Sequence, residues 1–392
     1  MSPAPQNSAS TGNDAKGKAR ALLGYKAMKP AAGAAKYQAS EAIKNTTLPK
    51  KVDLRPMLTP VEDQGDTSSC VANAVAGAYE YWIKRLHKTD LDISRLFVYY
   101  NARWRAGDQK EDAGSYIQFA MAGLGDFGAC TEKTWPFQKK LLKQKPNRSA
   151  YQEGTSYKVK TRQHIPVDLT AWQQCLAEGK PIVFGCVLFD SFDDCSERGG
   201  VVPMPSPKEV HRSTHGGHSM LCVGYSDVDQ VFIVRNSWGP DWGDKGYCYM
   251  PYNYLMNPKF NDADCWAFVP DEELPLMEDT WSHDAQPVVN QGKGVDFEIN
   301  PHTIEEYSTV ALNFFEKLVP KEYSGELHEA YSLLTDFIKK QDWHELEDFT
   351  HEAIAEDKTE GEEEGAEGDS EEEGDSEEED DEDSDEDSDE DS

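Results

Sequence analysis

From Val71 onward the apolar residues recur at helical spacing. Val71, Ala74, Val75, Ala78, Tyr79, Trp82 and Leu86 share one side, and Glu80, Lys84 and Arg85 fall on the other. A 3.6-residue period of this kind predicts an amphipathic helix beginning just after Ser69, and Ser68 and Ser69 are hydroxyl residues of the type that caps a helix N-terminus. A second helix is predicted from Tyr116 to Leu124. Beyond Lys158 the pattern changes to short β-branched and aromatic runs. Pro181–Phe189, Ser219–Gly224 and Val231–Arg235 read as strands. Helices followed by strands imply an α+β domain, which we place at residues 49–270. Residues 1–48 show little periodicity and read as a basic N-terminal arm, flexible or loosely docked. In 271–356, apolar stripes at Ile304–Leu318, Glu326–Lys339 and Trp343–Ala355 predict a helical C-terminal extension.

Charge refines this picture. Of the net −34, residues Asp357–Ser392 carry 24 acidic side chains against Lys358 alone, so 357–392 is expected to be a disordered acidic tail around a mildly acidic protein. Such a tail could attract a basic protein partner through long-range electrostatics. No apolar run is long enough for a secretory signal or a membrane helix. The expectation is a soluble cytoplasmic or nuclear monomer, not secreted, with neither nucleic acid nor membrane as partner. The basic, acid-poor start leaves an organellar address open. Eight scattered cysteines without a CxxC pair argue against a metal site and read mostly as buried small hydrophobes. His211, His215 and His218 are not read as a metal cluster, and no cofactor is expected.

The placement of Cys70 points to chemistry. A thiol at the first turn of a helix meets unpaired N–H groups and the positive end of the helix dipole, and a neighbouring histidinium would lower its pKa further, to about 3–4. Gln64, six residues upstream in a turn-prone segment, can fold its amide back toward that thiol and form an oxyanion hole with the Cys70 N–H. The runs 218–224 and 230–236 read as a hairpin whose symmetric pairing sets His218 opposite Asn236, with the amide oxygen accepting from the imidazole. Trp238 would roof that bond.

Three blocks carry a family resemblance: Pro60-Val-Glu-Asp-Gln-Gly-Asp-Thr-Ser-Ser-Cys-Val-Ala72, Gly216-Gly-His-Ser-Met-Leu-Cys-Val-Gly-Tyr225 and Arg235-Asn-Ser-Trp-Gly-Pro-Asp-Trp-Gly-Asp-Lys-Gly-Tyr247. In this order they are similar to the signature blocks of the papain/cathepsin cysteine peptidases, and the resemblance extends over about Leu48 to Phe268. It implies a two-lobed papain-like fold, a helical lobe plus a β-barrel-like lobe. It also implies a cysteine endopeptidase acting on protein or peptide substrates through a thioester at Cys70, with His218, Asn236 and Gln64 completing the catalytic set. Asp112-Ala-Gly-Ser-Tyr116 resembles the family's substrate-binding glycine segment, so Gly114, Ser115 and Trp238 are the expected substrate contacts. Three departures stand out: Thr67 where secreted members have a cysteine, Val71 for the usual tryptophan, and Ser115 for a glycine. No long inhibitory propeptide is recognisable before Leu48, so zymogen control of the usual kind is not expected. The alternative reading is a catalytically idle papain fold that binds basic proteins.

Overall fold

In the computed structural model, residues 24–156, 161–210, 216–269 and 275–289 are described. The chain divides at 297/298, and the second unit lies outside the described residues. The helices expected within 304–355 and the acidic tail also fall there. Among the described residues the helices are α1 (Glu41–Lys44), α2 (Cys70–His87), α3 (Arg95–Ala106), α4 (Ile117–Phe127), α5 (Arg148–Gly154), α6 (Leu169–Ala177), α7 (Pro207–Val210) and α8 (Tyr252–Leu255). The strands are β1 (Lys51–Asp53), β2 (Thr161–His164), β3 (Ile182–Val187), β4 (Gly217–Ser226), β5 (Val231–Arg235), β6 (Tyr247–Pro251), β7 (Asn261–Val269) and β8 (Trp281–Ser282).

The predicted helix after Ser69 is α2, and it packs against α3 and α4 on one side and β4 on the other. This central position buries the charged face that the periodicity assigns to solvent. Glu80 and Arg85 are both buried, and each is satisfied locally. Glu80 accepts from the Ile93 N–H at 2.9 Å and from the Thr59 hydroxyl. Arg85 donates to the carbonyls of Glu178, Gly179 and Pro275. Buried charge survives only where polar partners replace water.

All strand pairings are antiparallel, in the order β2-β7-β3-β4-β1-β8, with β5 joined to β4 and β6 to β5. The hairpin β4–β5 forms as expected, but in a different register. Leu221 faces Arg235, a bulge interrupts the ladder between Cys222 and Gly224, and Ser226 faces Val231. Asn236 therefore lies beyond the last paired residue rather than directly opposite His218. The turn sets this register: β4 runs on through Tyr225 and Ser226, which pair with Val52 and Lys51 of β1, so the connection falls at 227–230. The bulge, where an added Cβ on Gly224 would come within 2.2 Å of the Val52 carbonyl, changes the pairing by only one residue.

The sheet also continues past residue 270. β8 pairs with β1, Trp281 donates its indole N–H to the Ala177 carbonyl at 3.0 Å, and Tyr81 reaches Met277. At the other end, Gly24–Leu48, expected as a flexible or loosely docked arm, lies against the domain. Tyr25, Tyr37 and Ile43 are buried; Tyr37 N–H donates to the His164 carbonyl, His164 N–H donates to the Ala35 carbonyl, and the Tyr37 hydroxyl donates to Glu178.

Burial raises the pKa of Glu80 to about 7, against the pull of Arg235. A carboxyl whose folded pKa exceeds its unfolded value supports the fold fully below about pH 4, and that support is lost as pH rises through 7. We expect the unfolding free energy from urea denaturation to fall between pH 5 and pH 8, and Glu80→Gln to reduce that fall by an amount on the order of 2 kcal/mol. An identical pH slope in the variant would contradict this account.

Candidate active site

Cys70 opens α2 immediately after its cap residue, Ser69. The Ser69 hydroxyl does not cap the helix; it bonds the Thr67 hydroxyl at 2.7 Å and the Asn73 side chain at 3.0 Å. The first-turn N–H groups of Cys70 and Val71 are thereby left to face the sulfur. Thr67 also donates its hydroxyl to the Gln64 carbonyl at 2.8 Å. Hydroxyl bonds thus hold this loop where a cysteine would otherwise stand, and all eight cysteines are free and buried.

Gln64 is fully buried. Its Nε2 donates to the Thr67 carbonyl at 2.8 Å, and its Oε1 accepts from the Ser237 hydroxyl at 2.5 Å. Because a side-chain amide carries two hydrogens, one remains beyond the Thr67 bond. A short antiparallel contact clamps this loop to the residues after β5: Gln64 N–H donates to the Ser237 carbonyl at 2.8 Å, and Gly239 N–H to the Glu62 carbonyl at 3.0 Å. Beneath the clamp, Arg95 pairs with Glu62 at 3.0 Å and Arg235 holds the Thr59 hydroxyl and the Pro60 carbonyl. Neither arginine's role is visible in the motif spacing.

His218 lies near the start of β4, paired to Cys186 of β3, and is fully buried. Its Nε2 lies 2.9 Å from Asn236 Oδ1. A carbonyl oxygen can only accept, so the proton sits on Nε2 and Nδ1 is the basic atom of the neutral ring. Despite the shifted register the expected bond is made, because Asn236 follows the strand end and is free to turn back. Its Oδ1 is also held by the Ser237 N–H at 2.9 Å. Trp238 roofs the imidazole, with ring centroids 5.1 Å apart, and is itself packed by Phe192 and Trp242. The N–H of Ser219, next to His218, faces the Cys70 sulfur. The start of β4 and the start of α2 therefore meet at one point.

That point is covered by the N-terminal segment. Ser115 N–H donates to the Gly24 carbonyl at 2.8 Å and Lys26 N–H to the Ser115 carbonyl at 3.0 Å, a parallel bridge centred on Tyr25. Both main-chain groups of Ser115 that the sequence marks for substrate are thus engaged. Two glycines permit the approach. A Cβ on Gly24 would lie 1.9 Å from the Ser68 carbonyl oxygen, and one on Gly114, at φ +75°, would lie 2.1 Å from the Gly24 oxygen. Asp112 ties the two sides together, accepting from Ser68 N–H at 3.1 Å and from the Tyr99 hydroxyl at 2.6 Å. In this state Cys70 is inaccessible, and burial raises its pKa to about 11, with the N–H groups of Ser219, Gly24, Val71 and Cys70 pulling it back only partly. The thiol pKa is thus shifted in the direction opposite to the lowering expected from sequence, because burial outweighs the N–H groups that face the sulfur. The signal for the cover was slight. Tyr25 and Tyr37 are the arm's two aromatic residues, and a glycine precedes the first.

Three comparisons bear on this geometry. A family model described as papain family cysteine protease matches residues 48–262. An uncharacterized peptidase C1-like protein of Acanthamoeba polyphaga mimivirus is 32% identical over 250 residues, 61% of this chain and 78% of that protein. Chymopapain of Carica papaya is 26% identical over 214 residues, and the chain spans only 54% of its length. The crystal structure of xylellain, a cysteine protease from Xylella fastidiosa, superposes with a TM-score of 0.58 at 33% identity, covering 65% of this chain and 99% of that one. With the papain-like fold and the family match in agreement, the chain belongs to the papain family of cysteine proteases.

Proposed function

We propose that the chain is a latent cysteine endopeptidase whose nucleophile is Cys70. The observation that carries this reading is the His218–Asn236 bond at 2.9 Å, made beside the sulfur-bearing end of α2. With Nε2–H fixed on Asn236, the imidazole offers Nδ1 to the thiol proton. The resulting thiolate adds to a peptide carbonyl carbon, and the oxyanion is met by the Cys70 N–H and the remaining Gln64 amide hydrogen. His218 returns its proton to the leaving amine as the C–N bond breaks, leaving a thioester. Water, deprotonated by His218, then cleaves the thioester and releases the carboxylate and the thiol.

Segment 24–37 keeps this apparatus closed. Gly24 presents an N–H to the sulfur, a group that a thiolate cannot attack. Protein or peptide substrates would reach Cys70 after the segment lifts away, with Ser115 offering the backbone bonds that Gly24 and Lys26 now use. An idle scaffold would share the covered thiol, and the following measurements separate the two readings.

A thiol-directed epoxide probe should label Cys70 slowly in the native protein. Gly24→Ala, whose Cβ would collide with the Ser68 carbonyl, should speed labelling by about tenfold or more, as expected when a docked segment is displaced. Adding His218→Ala should abolish it. Equal labelling rates with and without Gly24→Ala would refute the cover, and labelling indifferent to His218 would refute the catalytic pair. In the Gly24→Ala background, Gln64→Ala should lower kcat by about 10²–10³-fold, the usual effect of losing one oxyanion donor. A loss below threefold would remove Gln64 from the catalytic set.

A further inference from the structure

The Tyr25 side chain occupies a pocket beside Cys70 whose chemistry a phenol only partly satisfies. Two glycines form its walls: a Cβ on Gly185 of β3 would lie 2.0 Å from the Tyr25 ring, and one on Gly217 of β4 would lie 2.7 Å from it. Its floor is acidic. The Tyr25 hydroxyl is 3.3 Å from Asp264 Oδ2, and the carboxylate of Asp262, also on β7, reaches the same hydroxyl.

Asp264 is fully buried. Its Oδ1 accepts from the Trp266 indole at 2.7 Å, Oδ2 has two long bonds, from the Tyr25 hydroxyl and from Met28 N–H at 3.4 Å, and the Gln118 side chain of α4 also donates to this carboxylate. The Tyr25 and Met28 donors belong to the covering segment and leave with it, while Gln118 stays as one neutral partner. Among the described residues neither aspartate is in a salt bridge. Burial pushes Asp264 up to about 6 and raises Asp262 as well. A hydroxyl has one hydrogen to give, and two carboxylates converge on it.

The geometry points to a specificity pocket for a basic side chain: the substrate residue that replaces Tyr25 beside Ser115 is arginine or lysine, held by Asp264 and Asp262. An arginine side chain is about as long as a tyrosine's, slides between the two glycines, and brings five donors and a charge to both carboxylates. An aliphatic residue would strip water from Asp264 and return nothing to it. This inference rests on the peptidase reading for its substrate, but not for its measurement.

The test uses full-length Tyr25→Ala protein and four peptides that differ only at this residue: Arg, Lys, Tyr or Leu. The ratio of kcat/KM for Arg over Leu should be about 10–100, the range for hydrogen bonds to a charged group. Adding Asp264→Asn should bring it to within about threefold of unity. Should Asp264→Asn fail to fold, the exposed Asp262→Asn should still cut the ratio about threefold or more. Leucine preferred in the parent, or a ratio untouched by these changes, overturns the pocket. If no peptide is hydrolysed the peptidase reading fails by itself, and calorimetry with Cys70→Ala/Tyr25→Ala protein still decides the pocket: Arg peptide binding tighter than Leu supports it, and equal affinity overturns it.

Discussion

Everything in this molecule is arranged around one contact, the abutment of the N-terminal turn of α2 on the first residues of β4. The helix brings the sulfur, the strand brings the imidazole, and the Ser219 N–H pointing at Cys70 records how closely they meet. A helix so placed is enclosed by α3 and α4 on one flank and the sheet on the other. Its charged residues Glu80 and Arg85 then have no route to water, whereas Lys84, nearer the helix end, stays partly exposed. The Glu80 and Arg85 networks are the consequence, and they tie α2 to Thr59, Ile93 and the Glu178–Gly179 turn.

What the sequence made legible was the chemistry carried by local pattern. The helical period after Ser69, the β-branched runs around His218 and Asn236, and the tryptophan two residues further on each have a signature within a few positions, and the fold class follows from them. Long-range geometry was less legible. Strict alternation puts His218 opposite Asn236, yet β4 runs on to Ser226 before it turns, paired there with β1, which is some 170 residues away in the chain. Glu80 reads as a surface residue because periodicity cannot know that a second layer covers that face. β8, two residues long, has no periodicity to detect.

The arm illustrates the same limit. Alanine- and lysine-rich sequence gives no amphipathic face, so nothing local announces docking. What holds Gly24–Tyr37 is complementarity with distant positions: bare backbone at Gly24 against Gly114, an aromatic ring between Gly185 and Gly217, and main-chain bonds to Ser115 and His164. An extended segment can add to a strand edge through its backbone alone, and that mode of recognition leaves little trace in composition.

Thr67 has a practical corollary. The loop that carries Gln64 is fastened through hydroxyl groups on Thr67, Ser69 and Ser237, and every cysteine is unpaired. Reductants therefore find no disulfide among the eight cysteines to break. Folding of this domain then requires no oxidant, and the redox state of its surroundings has no covalent purchase on its scaffold.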